Sequence, residues 1–432
     1  MRRPIAAAAV CVALLAACTE VTTNRPTPSV TPSESPSGVP VEIETGPTTS
    51  AQAMRRLCVS ADVEADPVTE VPTPPAIAEV ADEVEAVRGL TFDRPVNVEP
   101  ITDAEMDRRL RDYFDTYYPE RYYARRSMAW QTIGALPSDI GYLEALDAYQ
   151  QGQVLGFYNS QNEELVYAGD ADLDRIEQFV LAHELTHAID DQHFDLDRLD
   201  DMVVACEDEP FQAALGIVEG SANHFATQVL IRFGVSETGS IPDGGTAGEV
   251  PPFITEYMAY PYTIGQRFAD ALSDADGPRA IDDALETFPT TTEQVLHPEK
   301  FPDEAGEAVD VADFAPTFGP EWRDIDAMVV GELWLKVLLH LRLDDDAATS
   351  AAAGWGGATY RAWSDGEHAA VVMSTVWDTP KDAQEFSSAL ERWVDRGSSP
   401  GLVLDADGTT VHAGFGSDES VMGAVSSILR SL

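Results

Sequence analysis

Apolar positions recur with helical spacing in PAIAEVADEVEAVRGL, where Ile77, Val80, Val84 and Val87 line one face. DAEMDRRLRDYFDTYYPERYYARR continues as helix and ends near Pro119. The period then changes. In QVLGFYNSQNEELVYAGD, Val154, Leu155 and Phe157, then Leu165 and Val166, flank a polar Asn-Ser-Gln-Asn turn and predict a β-hairpin. A helix over 173–191 follows, with Ile176, Phe179, Val180 and Leu181 on its buried face. PFQAALGIVEGSANHFATQVLIRFG predicts another, with Pro210 in its first turn and Gly234 at its C-cap. Further helices are expected within 253–300. Beyond about 350, AAVVMSTVW reads as a strand and TPKDAQEFSSALERWV as a helix. GLVLDADGTTVHAGF reads as a hairpin with an Asp-Gly turn. The expected fold is α+β and mainly helical, with a principal unit over 77–345 and a small α+β subdomain over 346–432. No internal repeat is visible.

The N-terminus carries a different signal. Arg2 and Arg3 precede a short apolar run, Ile5 to Ala17, that is too short to span a bilayer unaided. It ends in LAAC and resembles the lipobox of bacterial lipoproteins. That resemblance implies removal of residues 1–17 as a signal peptide and lipidation of Cys18. Residues 18–76 are rich in Thr, Pro, Ser and Glu and are expected to form a disordered tether. The expected location is the extracytoplasmic face of the cell membrane.

Cys58 and Cys206 can pair outside the cytoplasm, pinning the end of the tether to the folded unit. The net charge is −48, with three lysines, Lys300, Lys336 and Lys381. So acidic a chain excludes nucleic acid as a partner. Salt would screen its self-repulsion.

The candidate chemistry lies in FVLAHELTHAIDDQHFDL. His183, Glu184 and His187 form H-E-x-x-H. On a helix, positions i and i+4 lie about 40° apart around the axis, so both imidazoles can reach one Zn²⁺. Glu184 lies about 100° around. It cannot ligate easily, but it can take a proton from a water at an open coordination position. Chance alone predicts about 0.01 such matches in a chain of this composition. Two residues compete to be the third ligand. Glu219, in IVEGSANHF, has Asn223 on the same face four residues later. This resembles the gluzincins, the thermolysin-like zinc peptidases. The resemblance implies that Glu219 completes the site and that Asn223, where that class often has Asp, supports a ligating imidazole. His193 sits on the last histidine of the metzincin pattern, but Asp190 replaces its glycine. On a continuing helix His193 points about 240° away from His187. Glu219 is therefore the favoured ligand.

His224 is expected to be a packed histidine. The acids Asp190, Asp191, Asp195, Asp197, Asp200 and Asp201 match no EF-hand loop and read as a solvated face. PTTTEQVLHPEKF, AYPYTIGQRF, GELWL and WDTPKDAQEF, together with AHELTHAIDDQHFDL, resemble a family of uncharacterised bacterial secreted or lipid-anchored proteins described as zinc metallopeptidases. The resemblance runs from about 77 to 400 and implies a zincin-like fold over one unit, 77–432. It also brings His297 forward as a catalytic oxyanion donor, with Tyr262 and Tyr257 as alternatives. Physically, Thr290 and Glu293 form a capping-box pattern, with His297 on the same face as Glu293. A histidine closing the helix C-terminus is the competing role for His297.

These readings lead to a lipid-anchored zinc metallopeptidase acting on peptide or protein substrates. The alternatives are a non-catalytic envelope-maintenance or binding lipoprotein with a structural or vestigial zinc, and an amidase acting on cell-wall peptides.

Overall fold

A computed structural model of the chain describes residues 10–14, 49–58, 74–117, 120–150, 154–169, 173–234, 250–404 and 408–432. Cys18, the expected lipidation site, lies outside them. The elements run β1 (Val10–Leu14), α1 (Ser50–Leu57), α2 (Pro75–Arg88), β2 (Asn97–Ile101), α3 (Asp103–Tyr117), α4 (Glu120–Ile133) and α5 (Tyr142–Gln150). The expected hairpin follows as β3 (Val154–Asn159) and β4 (Glu164–Ala168), then α6 (Arg175–Phe194), α7 (Arg198–Ala205), α8 (Asp208–Arg232) and α9 (Pro252–Asp276). Next come α10 (Arg279–Glu286), α11 (Thr292–Leu296), α12 (Ala315–Phe318), β5 (Arg323–Val329), α13 (Glu332–His340) and α14 (Asp345–Ala352). The chain ends with β6 (Trp355–Ser364), β7 (Ala369–Trp377), α15 (Pro380–Asp395), β8 (Gly401–Val403), β9 (Thr410–Gly416) and α16 (Met422–Leu429). Among the described residues, no helix is long and apolar enough to cross a membrane.

The class is α+β. One sheet has the order β1-β3-β4-β2, with β2 parallel to β4 and the other pairs antiparallel. The other is wholly antiparallel, in the order β5-β6-β7-β9-β8. Val10–Leu14, inside the expected leader, lies along the outer edge of β3, with Val10 opposite Asn159.

A core of Ile77, Val80, Val84, Leu165, Phe179 and Leu185 joins α2 and α6 to the first sheet. A larger one unites Trp130 of α4, Phe253 of α9 and Trp334 of α13 with Tyr360 and Met373 of the second sheet. That sheet takes its edge strand β5 from before residue 345 and shares this core. The expected boundary at 345/346 therefore falls inside one packed body.

The tether expectation is corrected at its C-terminal end. Ser50–Leu57 is a helix, opened by a capping box in which Thr49 and Gln52 satisfy each other's backbone N–H. It docks on the body. Ser50 N–H donates to Asp310 Oδ1 at 2.7 Å, Ser50 Oγ donates to the Val311 carbonyl at 3.0 Å, and Ala53 is buried. Cys58 closes the disulfide to Cys206, Cα to Cα 5.7 Å. Composition averaged over the whole segment hid this local helix signal.

Candidate metal centre

Helix α6 starts on Asp174, whose carboxylate accepts the N–H groups of Ile176 and Glu177 while Glu177 accepts the Asp174 N–H. From Phe179 to Asp190 it is buried on every side, so it crosses the molecule as an interior helix. His183, Glu184 and His187 are 1%, 0% and 0% exposed. Strand β3 crosses α6 beside Glu184, and Gly156 permits the approach. A Cβ there would lie 2.6 Å from Val180 Cγ1 and 3.2 Å from Glu184 Cγ.

Helix α8 brings Glu219, fully buried, to the two histidines. Its neighbours Gly216 and Gly220 meet Gly265 of α9 with almost no separation. A Cβ on Gly220 would lie 2.2 Å from the Gly265 carbonyl oxygen, and one on Gly265 2.2 Å from that of Gly216. This contact sets Tyr262 over the site, where its hydroxyl donates to Glu219 Oε1 at 3.2 Å.

The donor atoms converge. His183 Nε2 is 3.0 Å from Glu219 Oε2 and 3.0 Å from His187 Nε2, and His187 Nε2 is 3.4 Å from Glu219 Oε2. Asn223 fixes the tautomer of His183. Its Nδ2 donates to the Tyr262 carbonyl at 2.9 Å, so its Oδ1 faces His183 Nδ1 at 2.9 Å and accepts that N–H. The His183 Nε2 lone pair is then directed at the carboxylate and the second imidazole. Three electron-rich atoms so close repel one another unless a cation lies between them. Donors about 2.05 Å from a tetrahedral zinc stand about 3.3 Å apart, the spacing found here. The set of two imidazoles and one carboxylate fits Zn²⁺. Burial pushes the His183 imidazole below its ordinary value. Burial raises the Glu219 carboxyl, but His187 and His183 hold it below the usual carboxylate range.

A buried ion network braces the two helices. Arg88, at the end of α2, donates to Asp190 Oδ1 at 2.6 Å and to Asp282 Oδ1 at 2.5 Å, with its guanidinium 4.6 Å from the Phe225 ring centroid. Asp190 Oδ2 accepts from Ser221 Oγ at 2.7 Å. Asp190 of α6 is thereby tied to α8 two residues past Glu219. The reading of Asp190 as part of a solvated face is corrected: it is 1% exposed and ion-paired.

Other expectations are corrected too. α6 does not turn at Asp190, so His193 stays on the helix and its Nε2 meets the Thr91 carbonyl at 2.9 Å, away from the trio. His297 is the C-cap of α11, and its Nε2 meets Glu332 Oε1 at 3.0 Å. None of its described contacts is with the trio. Tyr257 stacks on Phe253 in the core instead. The capping box of α11 uses Thr291 and Gln294, one residue later than expected. His224 packs as expected, paired with Asp270 at 2.6 Å. Glu293, Glu304 and Asp378 also gather, but Lys300 Nζ already supplies their cation at 2.7, 2.7 and 3.2 Å.

Sequence reasoning missed the contact of Tyr262 with Glu219 and the Gly216–Gly265–Gly220 crossing. The small residues four apart in GIVEG were the available signal. Residues 318–422 match the model of a family described as a domain of unknown function, DUF8575, and this match includes none of the metal-centre residues. No curated protein and no solved structure matches the chain.

Proposed function

We propose that the protein is a zinc-dependent peptidase of gluzincin type on a zincin-like framework, held at the extracytoplasmic membrane face by a lipid on Cys18. The observation that carries the reading is the convergence of two imidazoles and one carboxylate at 3.0–3.4 Å, beside a buried glutamate. His183, His187 and Glu219 would hold the metal, and Asn223 orients His183. When bound, zinc lowers the pKa of water to about 7 and polarises a carbonyl. Glu184, adjacent to the ligands but not among them, takes the proton of the attacking water and returns it to the leaving amine. The Tyr262 hydroxyl, which donates to Glu219 Oε1, would donate to the carbonyl oxygen as charge develops on it. The edge of β3 accepts an extended segment, as it does Val10–Leu14, and would align a peptide beside Glu184 in the same way.

Glu184→Gln tests this directly. The variant is expected to bind one zinc per chain and to lose peptide hydrolysis by about 10³-fold or more, measured on a mixture of fluorogenic peptides. Hydrolysis that survives this substitution would contradict the reading. Zinc binding with no hydrolysis by the wild type, on protein or cell-wall peptides, would leave a structural zinc in a non-catalytic lipoprotein.

A further inference from the structure

A cavity of about 200 Å³ lies among α4, α5, α7, α8 and α9. Its wall is aromatic. The rings of Trp130 and Tyr142 stand 4.8 Å apart, those of Trp130 and Tyr257 meet edge-on at 6.2 Å, and Tyr122 and Tyr149 also face the space. The cavity adjoins the metal centre through two helices. Tyr262 of α9 lines it while donating to Glu219 Oε1 at 3.2 Å. Leu215 of α8 lines it too, four residues before Glu219 and so about 6 Å along the helix from that ligand.

Size, charge and hydrogen bonding restrict what can enter. An apolar cavity of about 150 Å³ takes benzene, so this one has room for a single aromatic side chain. The buried Arg126 at its edge is already paired, with Asp208 Oδ1 at 3.0 Å and Asp326 Oδ2 at 2.9 Å, and lies over the rings of Tyr122 and Trp130 at 5.3 and 5.7 Å. A ligand carboxylate would face Asp208 and Glu207, and a ligand cation would compete with the guanidinium for the same ring faces. The fitting occupant is neutral. Tyr149 and Tyr257 are 6% and 4% exposed, and among the described residues their hydroxyls have no hydrogen-bond partner. Burial pushes both hydroxyls up, so they stay protonated and can donate or accept. Buried polar groups favour a partner, so a ring with a polar edge, an indole or a phenol, suits this wall better than a phenyl.

We propose that this cavity is a recognition pocket for one tryptophan or tyrosine side chain of the substrate, beside the bond cleaved at the metal centre. Successive residues stand about 3.8 Å apart, so the recognised residue lies within about two positions of that bond. The substrate assignment rests on the peptidase reading, but binding of the ring does not require the metal.

The test has two arms, both on the purified full-length protein. In the first, indole is titrated by calorimetry into wild type and into Met258→Trp, which fills the cavity from α9. Wild type is expected to bind one indole, and the variant to bind it at least tenfold more weakly. If Met258→Trp does not fold, Leu146→Trp replaces it. In the second, the zinc-loaded protein cleaves peptides that vary one residue at a time on each side of the scissile bond. At one position tryptophan or tyrosine is expected to exceed alanine by about 100-fold in kcat/KM, with phenylalanine between them, and the filled variant to lose at least tenfold of that ratio. No indole binding by the wild type, or equal affinity in the variant, would overturn the pocket whatever the peptides show. Cleavage without an aromatic preference, or with a preference for a charged residue, would overturn the substrate assignment. Indole binding without cleavage of any peptide would sink the peptidase reading and leave the ring-binding pocket standing.

Discussion

The glycine crossing between α8 and α9 gives the most quantitative handle on the centre. In Gly265→Ala the new Cβ would lie 2.2 Å from the Gly216 carbonyl oxygen. Ordinary contact requires roughly 3.2 Å, so the helices must part by about 1 Å. Both contacting atoms are backbone or Cβ, so no flexible side chain can absorb the shift. Alanine gains about 1 kcal/mol of helix propensity over glycine, while overpacking costs about 1–3 kcal/mol. The net loss of stability is therefore about 0–2 kcal/mol, and the protein should still fold. Function should suffer more. Tyr262 is one turn from Gly265, and its 3.2 Å bond to Glu219 would stretch beyond hydrogen-bond length. A displacement of about 1 Å at a reacting centre costs about 100-fold in rate. The assay pairs urea unfolding with peptide hydrolysis and with zinc affinity measured by competition. Wild-type zinc affinity and activity in Gly265→Ala, with unchanged stability, would refute the argument that this contact sets the site.

Two further outcomes are expected. Arg88→Met leaves Asp190 buried without its cation and should destabilise the fold by about 3–5 kcal/mol in urea unfolding. Adding Asp190→Asn should recover part of that loss, and a single variant within 1 kcal/mol of wild type would contradict the bracing role. Stability should also fall as pH rises from about 4.5 to 7, because burial raises the Glu209 carboxyl to about 7. In that window the folded state keeps a proton that the unfolded chain releases, so the contribution is complete below about 4.5 and lost above 7. His297 acts in the same direction: its bond to Glu332 raises it, and the stability it adds is lost as pH rises through its folded pKa. Glu209→Gln, which can still accept from Thr292, should flatten the dependence of melting temperature on pH. An unchanged slope would count against this assignment.

The parts of the centre that depend on one helix were legible in the sequence. His183, Glu184 and His187 follow from spacing within α6, and Glu219 with Asn223 from the resemblance of IVEGSANHF to the gluzincin ligand helix. The β-hairpin was legible from its change of period around an Asn-Ser-Gln-Asn turn. What pairs distant segments was not. Tyr262 reaches Glu219 only because Gly265 lets α9 close on α8, and no local period encodes that crossing. His297 was brought forward by its own segment, yet its partner Glu332 comes from α13. Asp190 and Asp200 looked solvated because each sits in an acidic run. Only the packing of α2 and of the β3–β4 turn buries them. The helix at Ser50–Leu57 was hidden by a composition averaged over a long polar segment.

The central claim is that His183, His187 and Glu219 hold one catalytic zinc. The most direct measurement is metal content and zinc affinity of the purified protein beside Glu219→Ala and His193→Ala. The account predicts one zinc per wild-type chain, retained by His193→Ala and lost or greatly weakened in Glu219→Ala. A wild type that takes up no zinc after reconstitution would contradict it, as would a Glu219→Ala protein that binds zinc as tightly as the wild type.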